Sequence, residues 1–462
     1  MVGVSASTSS PHTPSHTLVL DIGKSNAKLV LVDAVGEVLA RCVQPNAPMP
    51  GPGYTALGVP RLQQWLLDSV AELPERDRIG RISISTHGAA FCAIDDAGLV
   101  LPPIDYEWDG YGDHRAAFEQ AIDPFAHTGA PSLPAGLNAG IQLFWLQRTR
   151  PDAWARIRHW LPYPQYWAWW LSGVAASEVS SLGCHTQLWA PWDGRFSDWA
   201  ERSGIAALFP PLRAAGDTLG PLRPALAARW GLSPTCEVLC GVHDSNACLV
   251  RYLSLPDTTL LTTGTWTVVM STARAEGVPV DAELFNVAVD GRPVPTARFM
   301  GGRDFDHLCA DADPAWATAE ALAAVVAEGW EARPLPADQA EAAFVFWRRG
   351  QRVSGDAQDV PARLRPALAA VYCAERSAAL VARLSSRGAV VVEGPLAGNA
   401  AFGLALAARL GPDRPLYRSV DAVEGTVRGA WQLVRCLGTA ATGPDAALAL
   451  QPVGCLARET SP

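Results

Sequence analysis

The fold is decided by LVLDIGKSNAKLVLVD, residues 18–33. Residues 18–21 form an apolar run that ends in a carboxylate, Gly23 opens a tight turn, and residues 29–32 form a second apolar run. Two such runs separated by small turn residues are typical of a β-hairpin. The sequence therefore predicts two buried strands joined by a turn that carries small residues, a hydroxyl, an amide and two ammonium groups.

The same stretch holds both lysines of the chain, Lys24 and Lys28, whereas the other 35 basic residues are all arginine. Chance survival of two surface lysines is one interpretation. The alternative is that the turn needs a compact ammonium group, which binds phosphate as a point charge. The position of the two lysines around a polar turn favours the second interpretation.

The bulk composition narrows the class of protein. A chain of 462 residues has room for two or three domains with large cores. Its hydrophobic content of 49% and charged content of 18% are ordinary for a soluble globular protein. The net charge of -9, with no basic stripe along the sequence, argues against binding to nucleic acid. A site for an anionic ligand would therefore be local.

Cysteine usage and the first residues predict a cytoplasmic protein. The ten cysteines show no paired framework, and free thiols are typical of a reducing cytosol. Cys236 and Cys240 with His243 match no zinc spacing. Residues 1–16 carry no lysine, arginine or apolar stretch, so we expect a disordered tail rather than a signal peptide. No apolar run approaches the ~20 residues that a membrane helix needs.

The first half of the chain alternates strands with helices. Residues 36–44 predict a third strand, residues 61–72 a helix, and residues 81–86 a strand that ends at His87-Gly88. This alternation indicates an α/β layer architecture. Tryptophans are concentrated in residues 140–200, where arginines do not alternate with the rings, so packing of a helical layer is favoured over a stacking platform for bases.

A second cycle of the same kind begins near Val238. LCGVHDSNACLV predicts a strand that ends at His243 and Asp244 and is followed by a helix. TTLLTTGTWTVVMST then predicts a second hairpin, whose turn contains Gly264 and Thr265. Each half of the chain thus offers one hairpin turn that carries a hydroxyl.

The remainder of the second half is predicted to alternate in the same way. Residues 388–393 predict a buried strand, which is followed by a glycine turn and a helix. We expect helices in residues 313–366 and a last helix in DAVEGTVRGAWQLV. The sequence therefore predicts two α/β halves that meet near residues 235–242.

Hairpin turns of this composition suit a polyphosphate. Turn amides form an anion-binding concavity, hydroxyls add donors, and glycine lets the backbone approach the ligand closely. Gly23-Lys24-Ser25 does not belong to a P-loop, because that motif requires a glycine where Leu18 stands. The G-x-G-x-x-G dinucleotide motif is also absent after the first strand.

Two carboxylates end strands beside these turns. Asp21 precedes the first turn, where it is placed to hold Mg²⁺ through water. Asp244 lies at a strand-to-helix junction, where it can accept the proton of a substrate hydroxyl during phosphoryl transfer. Each has an alternative role, because aspartates near glycine often form turns and aspartates before helices often serve as N-caps.

Six segments occur in the order and approximate spacing of the FGGY carbohydrate kinases, which the chain resembles from Thr17 onward: DIGKSNAKLVLVD, STHGAAFCAIDDAG, GVHDSNACLV, LLTTGTWTVVM, EGPLAGN and DAVEGTVRGAW. The resemblance implies an α/β fold of two ribonuclease-H-like (actin-like ATPase) domains with a central cleft. It implies an N-terminal domain at 17–239, with the sugar side and the first phosphate turn. It also implies a C-terminal domain at 240–462, with the ATP side and the catalytic aspartate.

The resemblance further implies an activity and a set of site residues. The activity is transfer of the γ-phosphoryl group of ATP to a sugar hydroxyl with Mg²⁺, Asp244 being the catalytic base and Asp21 the metal-associated residue. ATP contacts fall on Gly23, Lys24, Ser25, Asn26, Lys28, Gly264, Thr265, Gly394, Gly398 and Asn399. Sugar contacts fall on His87, Gly88, His243, Asp244, Ser245 and Asn286.

The same motifs imply a substrate class. The H-D-S step with G-T-W looks most similar to the L-rhamnulose and L-fuculose kinases, whereas the T-H-G-A run looks more similar to the xylulose kinases. The chain departs from the family pattern at Lys24, at Lys28, at Glu393 and in DYEWDGYGDHR. A pentulose kinase, a sugar-sensing protein without transfer activity and an actin-like ATPase are the alternatives. The expected partners are sugar and ATP, with no nucleic acid or membrane, in a monomer or homodimer.

Overall fold

A computed structural model of the chain describes residues 15–273, 284–335, 344–384, 386–421, 423–437 and 448–454. These residues form two compact α/β units. The first unit contains residues 15–250, 287–292 and 426–437, and the second contains the other described residues. The domain division at residues 239/240 stays a prediction. Residues 1–14 of the expected N-terminal tail lie outside the described residues, and the first strand begins at His16.

The first unit opens with the hairpin that the sequence predicts. Its strands are β1 (His16–Ile22), β2 (Asn26–Val32), β3 (Val38–Pro45), β4 (Met49–Pro50), β5 (Thr55–Ala56), β6 (Ile79–Thr86), β7 (Phe91–Asp95), β8 (Gly98–Leu99), β9 (His159–Pro162), β10 (Trp189–Ala190), β11 (Arg195–Phe196), β12 (Thr218–Pro221), β13 (Glu237–Leu239) and β14 (Val242–His243). Its helices are α1 (Val59–Ser69), α2 (His114–Ala121), α3 (Phe125–Thr128), α4 (Gly140–Thr149), α5 (Pro151–Trp154), α6 (Tyr163–Ser172), α7 (Val179–Leu182), α8 (Asp198–Arg202), α9 (Pro224–Trp230) and α10 (Asp244–Val250).

The main sheet of the first unit brings three strand ends together. Its strand order is β12-β13-β6-β1-β2-β3, and β14 also pairs with β6. Strands β1, β6 and β14 are parallel, with Ile22 and His243 both opposite Thr86. Because parallel strands end at the same edge of a sheet, the residues that follow β1, β6 and β14 are neighbours.

Tryptophan packing in the first unit follows the expectation from the sequence. Trp160, Trp167 and Trp230 have at most 1% of their surface exposed. Trp167 lies on α6, whose buried face packs into the same core as β1, β2 and β6. The tryptophan-rich segment is therefore part of a packed layer, as predicted.

The second unit contains the second predicted hairpin. Its strands are β15 (Thr259–Thr263), β16 (Thr267–Ser271), β17 (Leu284–Val287), β18 (Pro293–Phe299), β19 (Trp330–Pro334), β20 (Phe344–Arg348), β21 (Gln351–Ser354), β22 (Val390–Glu393), β23 (Leu416–Ser419) and β24 (Leu450–Pro452). Its helices are α11 (Gly301–Cys309), α12 (Ala319–Glu328), α13 (Arg365–Arg383) and α14 (Ala400–Leu410).

The main sheet of the second unit has the strand order β17-β18-β16-β15-β22-β23-β24. Strands β15 and β16 form the hairpin, and β22 runs parallel to β15 with Glu393 opposite Thr262. The turn that follows β15 and the turn that follows β22 are therefore neighbours. The last helix, α15 (Gly425–Leu437), packs with its larger part in the first unit.

One sequence expectation is correct in part of the second unit and wrong in another part. Residues 313–366 are predicted to be helical, and α12 lies within them, but β19, β20 and β21 in the same range form an antiparallel three-stranded sheet. The strand residues Phe344 and Phe346 are buried in the core that contains α13, where Trp330 also lies, and Val345 between them is buried as well. Packing of these aromatic and β-branched side chains favours strands over the helical tendency of the surrounding alanines.

None of the helices in the described part of the chain combines the length and the apolar character needed to cross a lipid bilayer.

Candidate active site

The first hairpin turn has a backbone fixed by hydrogen bonds. Gly23 N donates to Asn26 O at 2.9 Å, which closes the turn between β1 and β2. Asn46, after β3, donates its side-chain amide to Gly23 O at 2.8 Å and its backbone amide to Ser25 O at 2.9 Å. Ser25 and Asn26 remain exposed at the tip. The turn therefore presents polar groups on a preset backbone, which suits an anionic ligand.

Asp21 lies at the end of β1, opposite Lys28 on β2. Only 5% of Asp21 is exposed, and its Oδ2 is 3.6 Å from Lys28 Nζ. Thr426 on α15 donates its hydroxyl to the same oxygen at 3.2 Å. Helix α15 can pack this closely because Gly429 lies against Ala247 of α10, where a Cβ on Gly429 would meet Ala247 O at 1.7 Å. The last helix therefore helps to hold the carboxylate that precedes the first turn.

One carboxylate of this type suits a magnesium ion. Mg²⁺ in phosphoryl-transfer sites is usually held by one or two carboxylates together with water and substrate phosphates. Within the described residues no group of three or more His, Cys, Asp or Glu side chains could form a complete protein cage for a metal. Asp21 therefore fits a shared magnesium site better than a structural metal site.

The side chain of Lys24 does not lie beside Asp21, as that of Lys28 does, but contacts the segment around Asp105. Its Nζ lies 2.5 Å from both carboxylate oxygens of Asp105 and 3.4 Å from Oε2 of Glu107. The same ammonium group lies 4.8 Å from the centre of the Tyr106 ring. The side chain of Lys24 is 12% exposed and that of Asp105 is 2% exposed. Lys24 therefore has a buried carboxylate partner, and its predicted contact with ATP stays a prediction.

His87 and Gly88 follow β6. The His87 ring is buried between Tyr106, at 5.6 Å between ring centres, and Tyr163, at 5.0 Å. Its Nδ1 pairs with Gly88 O at 2.9 Å, whereas Nε2 is buried and has no hydrogen-bond partner among the described residues. Burial lowers the pKa of His87, although the Gly88 carbonyl and the Asp244 carboxylate oppose the change. One ring nitrogen of His87 is therefore available to a ligand.

Gly88 allows close packing between the ends of β6 and β14. A Cβ at this position would lie 2.5 Å from Cys184 Sγ and 3.0 Å from the His243 ring. Real Cβ atoms do not approach other atoms within about 3 Å, so a larger residue would displace His243. The predicted role of Gly88 at the sugar side is thus consistent with a backbone that must leave room for a neighbouring side chain.

Asp244 begins α10 immediately after β14. The chain bends at Gly241, whose φ of +90° suits glycine, before it enters β14. Asp244 Oδ1 accepts hydrogen bonds from Ser245 N at 2.6 Å and from Ser245 Oγ at 3.2 Å. An N-cap side chain would accept from the amide two or three residues farther along. The carboxylate therefore has a different local geometry from that of an ordinary N-cap.

The surroundings of Asp244 suit a general base. Burial raises the pKa of Asp244, while the nearby His87 and Lys28 act in the opposite direction. His243 Nε2 lies 3.2 Å from Asp244 Oδ1 and 3.4 Å from Cys184 Sγ, and its Nδ1 pairs with Asn246 Nδ2 at 3.1 Å. A carboxylate with a raised pKa accepts a proton more readily than an ordinary aspartate does.

The second unit holds the other predicted phosphate turn. Gly264 N donates to Trp266 O at 3.1 Å, and Gly302 N donates to Thr265 O at 3.3 Å. A Cβ on Gly302 would lie 2.2 Å from Gly264 O, so α11 begins directly against the turn. As in the first unit, the turn is fixed by a neighbouring element and exposes small residues.

Thr263 joins this turn to the glycine turn after β22. Its hydroxyl donates to Glu393 O at 2.7 Å and accepts from Leu396 N at 3.0 Å. Gly394 has a φ of +87°, and a Cβ there would lie 2.0 Å from Thr263 O. The structure therefore places Gly264, Thr265 and Gly394 in one part of the second unit.

Three predicted residues of the second unit remain: Gly398 and Asn399, which follow the turn after β22, and Asn286, which lies on β17. Asn399 caps α14 by accepting from Phe402 N at 2.9 Å, and Gly398 precedes it. Asn399 also lines a cavity of about 270 Å³ whose walls include Leu396, Phe402 and Val453. Asn286 lies on β17, where it is 3% exposed and its Oδ1 has no hydrogen-bond partner in the described residues.

A buried ion cluster surrounds Glu393 at the end of β22. Glu393 is 3% exposed, and its Oε1 accepts from Arg251 Nη1 and from the Tyr252 hydroxyl. Arg251 Nη2 also donates to Asp421 Oδ2 at 3.1 Å. Burial raises the pKa of Glu393, and Arg251 opposes the rise. The carboxylate immediately before Gly394 is thus compensated by one guanidinium group.

Several residues of the site were missed by sequence reasoning. Asp105, Thr426 and Thr263 contact predicted site residues, and Asn246 and Cys184 contact His243. The acidic character of DYEWDG was a usable signal for Asp105. Nothing local in the sequence indicates that Thr426 contacts Asp21, because 405 residues separate the two.

The sequence profile of the N-terminal domain of the FGGY family of carbohydrate kinases matches residues 16–250. The profile of the C-terminal domain of FGGY carbohydrate kinases matches residues 256–442. Both profiles match in the expected order along the chain.

A solved structure of a carbohydrate kinase from Novosphingobium aromaticivorans is similar over nearly the whole chain. It is 35% identical, with a TM-score of 0.79, and the match covers 96% of this chain and 95% of that one. This likeness supports a fold of two actin-like ATPase domains.

Two curated relatives are similar at lower identity. An L-fuculokinase of Escherichia coli strain K12 is 26% identical over 273 residues, 55% of this chain and 56% of that relative. A xylulose kinase of Lactococcus lactis is 24% identical over 253 residues, 50% of this chain and 48% of that relative. The chain therefore spans about half the length of the curated relatives that it matches.

Proposed function

Since the chain belongs to the FGGY family of carbohydrate kinases, we propose that it transfers the γ-phosphoryl group of ATP to a hydroxyl of a ketose sugar. The observation that carries the proposal is the position of Asp244. The carboxylate has a raised pKa, lies beside His243, and shares the edge of one sheet with Asp21 and the first hairpin turn. A base next to a phosphate turn is the arrangement that phosphoryl transfer to an alcohol requires.

Each group in the first unit has a role in this proposal. Asp244 accepts the proton of the sugar hydroxyl as its oxygen attacks phosphorus. Lys28 supplies positive charge near Asp21, and Gly23, Ser25 and Asn26 supply amides and polar side chains to phosphate. Asp21 would hold Mg²⁺, which when bound neutralises phosphate charge. His87 Nε2 and Ser245 are the proposed groups that bind sugar hydroxyls.

The second unit is proposed to contribute nucleotide contacts. Gly264 and Thr265 offer a turn with a hydroxyl, and Gly394, Gly398 and Asn399 are the proposed contacts on the adenosine side. Thr263, which ties the two turns together, supports their geometry. Asn286 stays a proposed sugar contact, supported by its buried carbonyl oxygen, which has no hydrogen-bond partner among the described residues.

The proposed sugar is a 6-deoxy-ketohexose such as L-fuculose or L-rhamnulose. This choice is supported by the L-fuculokinase relatives and by the H-D-S and G-T-W motifs. A pentulose such as xylulose is the second candidate, supported by xylulose kinase relatives of similar identity. A sugar sensor without transfer activity is less well supported, because Asp244, Asp21 and both turns are present.

A ketose panel tests both the activity and the substrate. The panel measures ADP release from MgATP with no sugar, with the ketoses L-fuculose and L-rhamnulose, and with D-xylulose, D-ribulose, glycerol and gluconate. A 6-deoxy-ketohexose should give the highest kcat/KM. A pentulose that is one carbon shorter and lacks only the terminal methyl group should show a kcat/KM only about 10- to 200-fold lower, because a missing apolar group is worth ~1–3 kcal/mol in a pocket.

Two results would contradict this proposal at different levels. Release of ADP that does not depend on any sugar would favour an ATPase over a kinase. A panel led a hundredfold or more by D-xylulose or glycerol would overturn the 6-deoxy-ketose assignment and leave the kinase assignment standing.

A further inference from the structure

The loop Asp105-Tyr106-Glu107-Trp108-Asp109, here named the carboxylate loop, has a defined conformation. Asp105 N donates to Thr55 O at 2.9 Å, and Trp108 N donates to Asp105 O at 3.0 Å. Asp105 Oδ1 accepts from Glu107 N at 2.9 Å, which closes a tight turn. The side chain of Asp105 is therefore part of the structure that orders the loop.

Aromatic packing fixes the far end of the carboxylate loop. The Trp108 ring lies edge-on to Tyr111 and Trp145, with ring centres 4.7 and 5.0 Å apart, and 6.0 Å from Tyr54. Such edge-on contacts stabilise a particular arrangement beyond the area that they bury. The near end, at Asp105 and Tyr106, contacts Lys24 and His87.

Lys24 belongs to the first hairpin turn but its ammonium group lies at the near end of the carboxylate loop. It contacts both oxygens of Asp105 and Oε2 of Glu107, and it lies over the Tyr106 ring. The opposite edge of this chain of contacts is His87, whose ring packs edge-on against Tyr106. A continuous set of contacts thus runs from the phosphate turn to a proposed sugar-reading side chain.

We propose that Lys24 is a positioning residue for sugar specificity: it pairs with Asp105 and thereby orders the carboxylate loop and Tyr106 against His87. This inference rests on the proposed kinase function and deepens its sugar side. A buried carboxylate that loses its paired cation would be left uncompensated, and the loop would rearrange to reach water. Lys28, the other lysine of the hairpin, instead lies beside Asp21.

The pairing also determines the charge of the sugar that fits. The ammonium of Lys24 is already neutralised by Asp105 and Glu107, so it does not attract a carboxylate on the substrate. An anionic sugar at the loop would instead meet Glu107, whereas Asp109 is itself paired with Arg115 at 2.9 Å. The loop therefore selects an uncharged polyol over a sugar acid, and gluconate should fail in the panel even at concentrations that saturate with a ketose.

Matched lysine variants test this inference. For wild type, Lys24→Met, Lys24→Arg and Lys28→Met, we measure the KM of sugar and of ATP and the calorimetric affinity for the ketose and for MgADP. Lys24→Met should raise the sugar KM about 10- to 100-fold and leave the ATP KM within about threefold, because small displacements of positioning groups cost up to about 10²-fold. Lys24→Arg should recover most of the sugar affinity, since a guanidinium group can bind both oxygens of Asp105. Lys28→Met should show the reverse pattern.

The outcomes separate failure of the inference from failure of the proposed function. If the wild-type protein releases no ADP with any ketose, the proposed function is wrong. A working wild type in which Lys24→Met loses MgADP affinity as Lys28→Met does, and keeps ketose affinity, overturns the inference. The double variant Lys24→Met/Asp105→Asn removes both buried charges, so it should melt closer to wild type than Lys24→Met does. Equal melting of the single and double variants would also overturn the pairing.

Amine acylation gives a readout that does not need turnover. The chain has two lysines, so mass spectrometry can assign each label without ambiguity. Lys28, with 25% of its side chain exposed, should label first, and MgATP should protect it together with the activity. Lys24, at 12% exposure and paired, should label slowly with or without MgATP, and Asp105→Asn should make it label faster. If MgATP selectively protected Lys24, Lys24 would have to be assigned to the phosphate site. If both lysines were labelled freely and activity stayed intact, neither lysine would have its proposed role.

Discussion

Replacing Asp244 with asparagine should lower turnover about 10²- to 10⁴-fold and should also stabilise the protein at neutral pH. The loss of turnover follows because an amide cannot accept the proton of the sugar hydroxyl, a step worth this factor in general-base catalysis. Affinity for MgADP should change little, because the turns and Lys28 hold phosphate in the proposed site. Asparagine keeps the carbonyl oxygen that accepts from Ser245 N, so local structure is retained.

The gain in stability follows from the direction of the pKa shift. Burial raises the pKa of Asp244 in the folded protein above the value that it has in the unfolded chain. A carboxyl group with a raised folded pKa favours folding fully below the unfolded pKa, and this contribution is lost as pH rises through the folded pKa. At neutral pH the charged form therefore opposes folding, and the neutral amide removes this cost. The same shift places the acid limb of the kcat/KM profile above the ordinary aspartate pKa of about 4.

The measurement compares two Asp→Asn variants of opposite pKa shift. Asp95 forms a hydrogen bond with Arg156 that lowers its pKa, so Asp95→Asn should slightly destabilise the protein at neutral pH and leave turnover unchanged. Thermal melting at pH 7 and pH 5 measures the change in stability, and kinetic and binding assays of the same variants measure turnover and MgADP affinity. Near-normal turnover of Asp244→Asn would remove Asp244 from the mechanism. If Asp244→Asn melted at a lower temperature than wild type at pH 7, the conclusion that the charged carboxylate of Asp244 opposes folding would be contradicted.

The part of the molecule that sequence patterns predicted is the part that depends on local chemistry. Both hairpins, β6 with His87 at its end, and β14 with Asp244 at its end are formed as expected. Each depends on an apolar run and a turn residue within about ten positions. Because β1, β6 and β14 are parallel neighbours, correct strand ends were enough to bring Asp21, His87 and Asp244 to one edge.

The features that escaped prediction depend on long-range packing. The partner of Lys24 is 81 residues away, and Thr426 reaches Asp21 across 405 residues. The ammonium group of Lys24 indicated an anionic partner, but a phosphate and a buried carboxylate are equally good partners for an ammonium group. Strands β19 to β21 were missed because alanine-rich surroundings favour helix locally, whereas burial of Trp330 and Phe346 against α13 favours a sheet. Sequence periodicity in such a segment does not determine which face is buried.

Replacing Arg251 with methionine should cost the second unit about 3–5 kcal/mol of unfolding free energy, because one partner of a buried ion cluster is removed. The Arg251 side chain is 2% exposed, and its loss removes the guanidinium group that contacts Glu393 and Asp421, whose side chains are 4% and 10% exposed. Such a loss is a large fraction of the about 5–15 kcal/mol that stabilises a typical domain.

A surface pair provides the matched control. Arg333 and Glu331 form an ion pair at 2.7 Å in the same unit, with side chains 56% and 49% exposed. Water and salt screen such pairs, so Arg333→Met should cost less than about 1 kcal/mol. Urea denaturation of wild type, Arg251→Met and Arg333→Met at pH 8 measures the difference.

The pH dependence of the Arg251→Met loss distinguishes an uncompensated charge from lost packing. Burial already raises the pKa of Glu393, and removal of Arg251 takes away the main influence that opposes the rise. As pH falls through this raised folded pKa, Glu393 becomes neutral in the folded protein, and the penalty of the unpaired charge disappears. The loss should therefore be smaller at pH 5 than at pH 8, and Glu393→Gln should reduce it further in the double variant. A loss that is equal at both pH values would assign the effect to packing of the arginine side chain. In that case the carboxylate before Gly394 would be held by Tyr252 and not by charge.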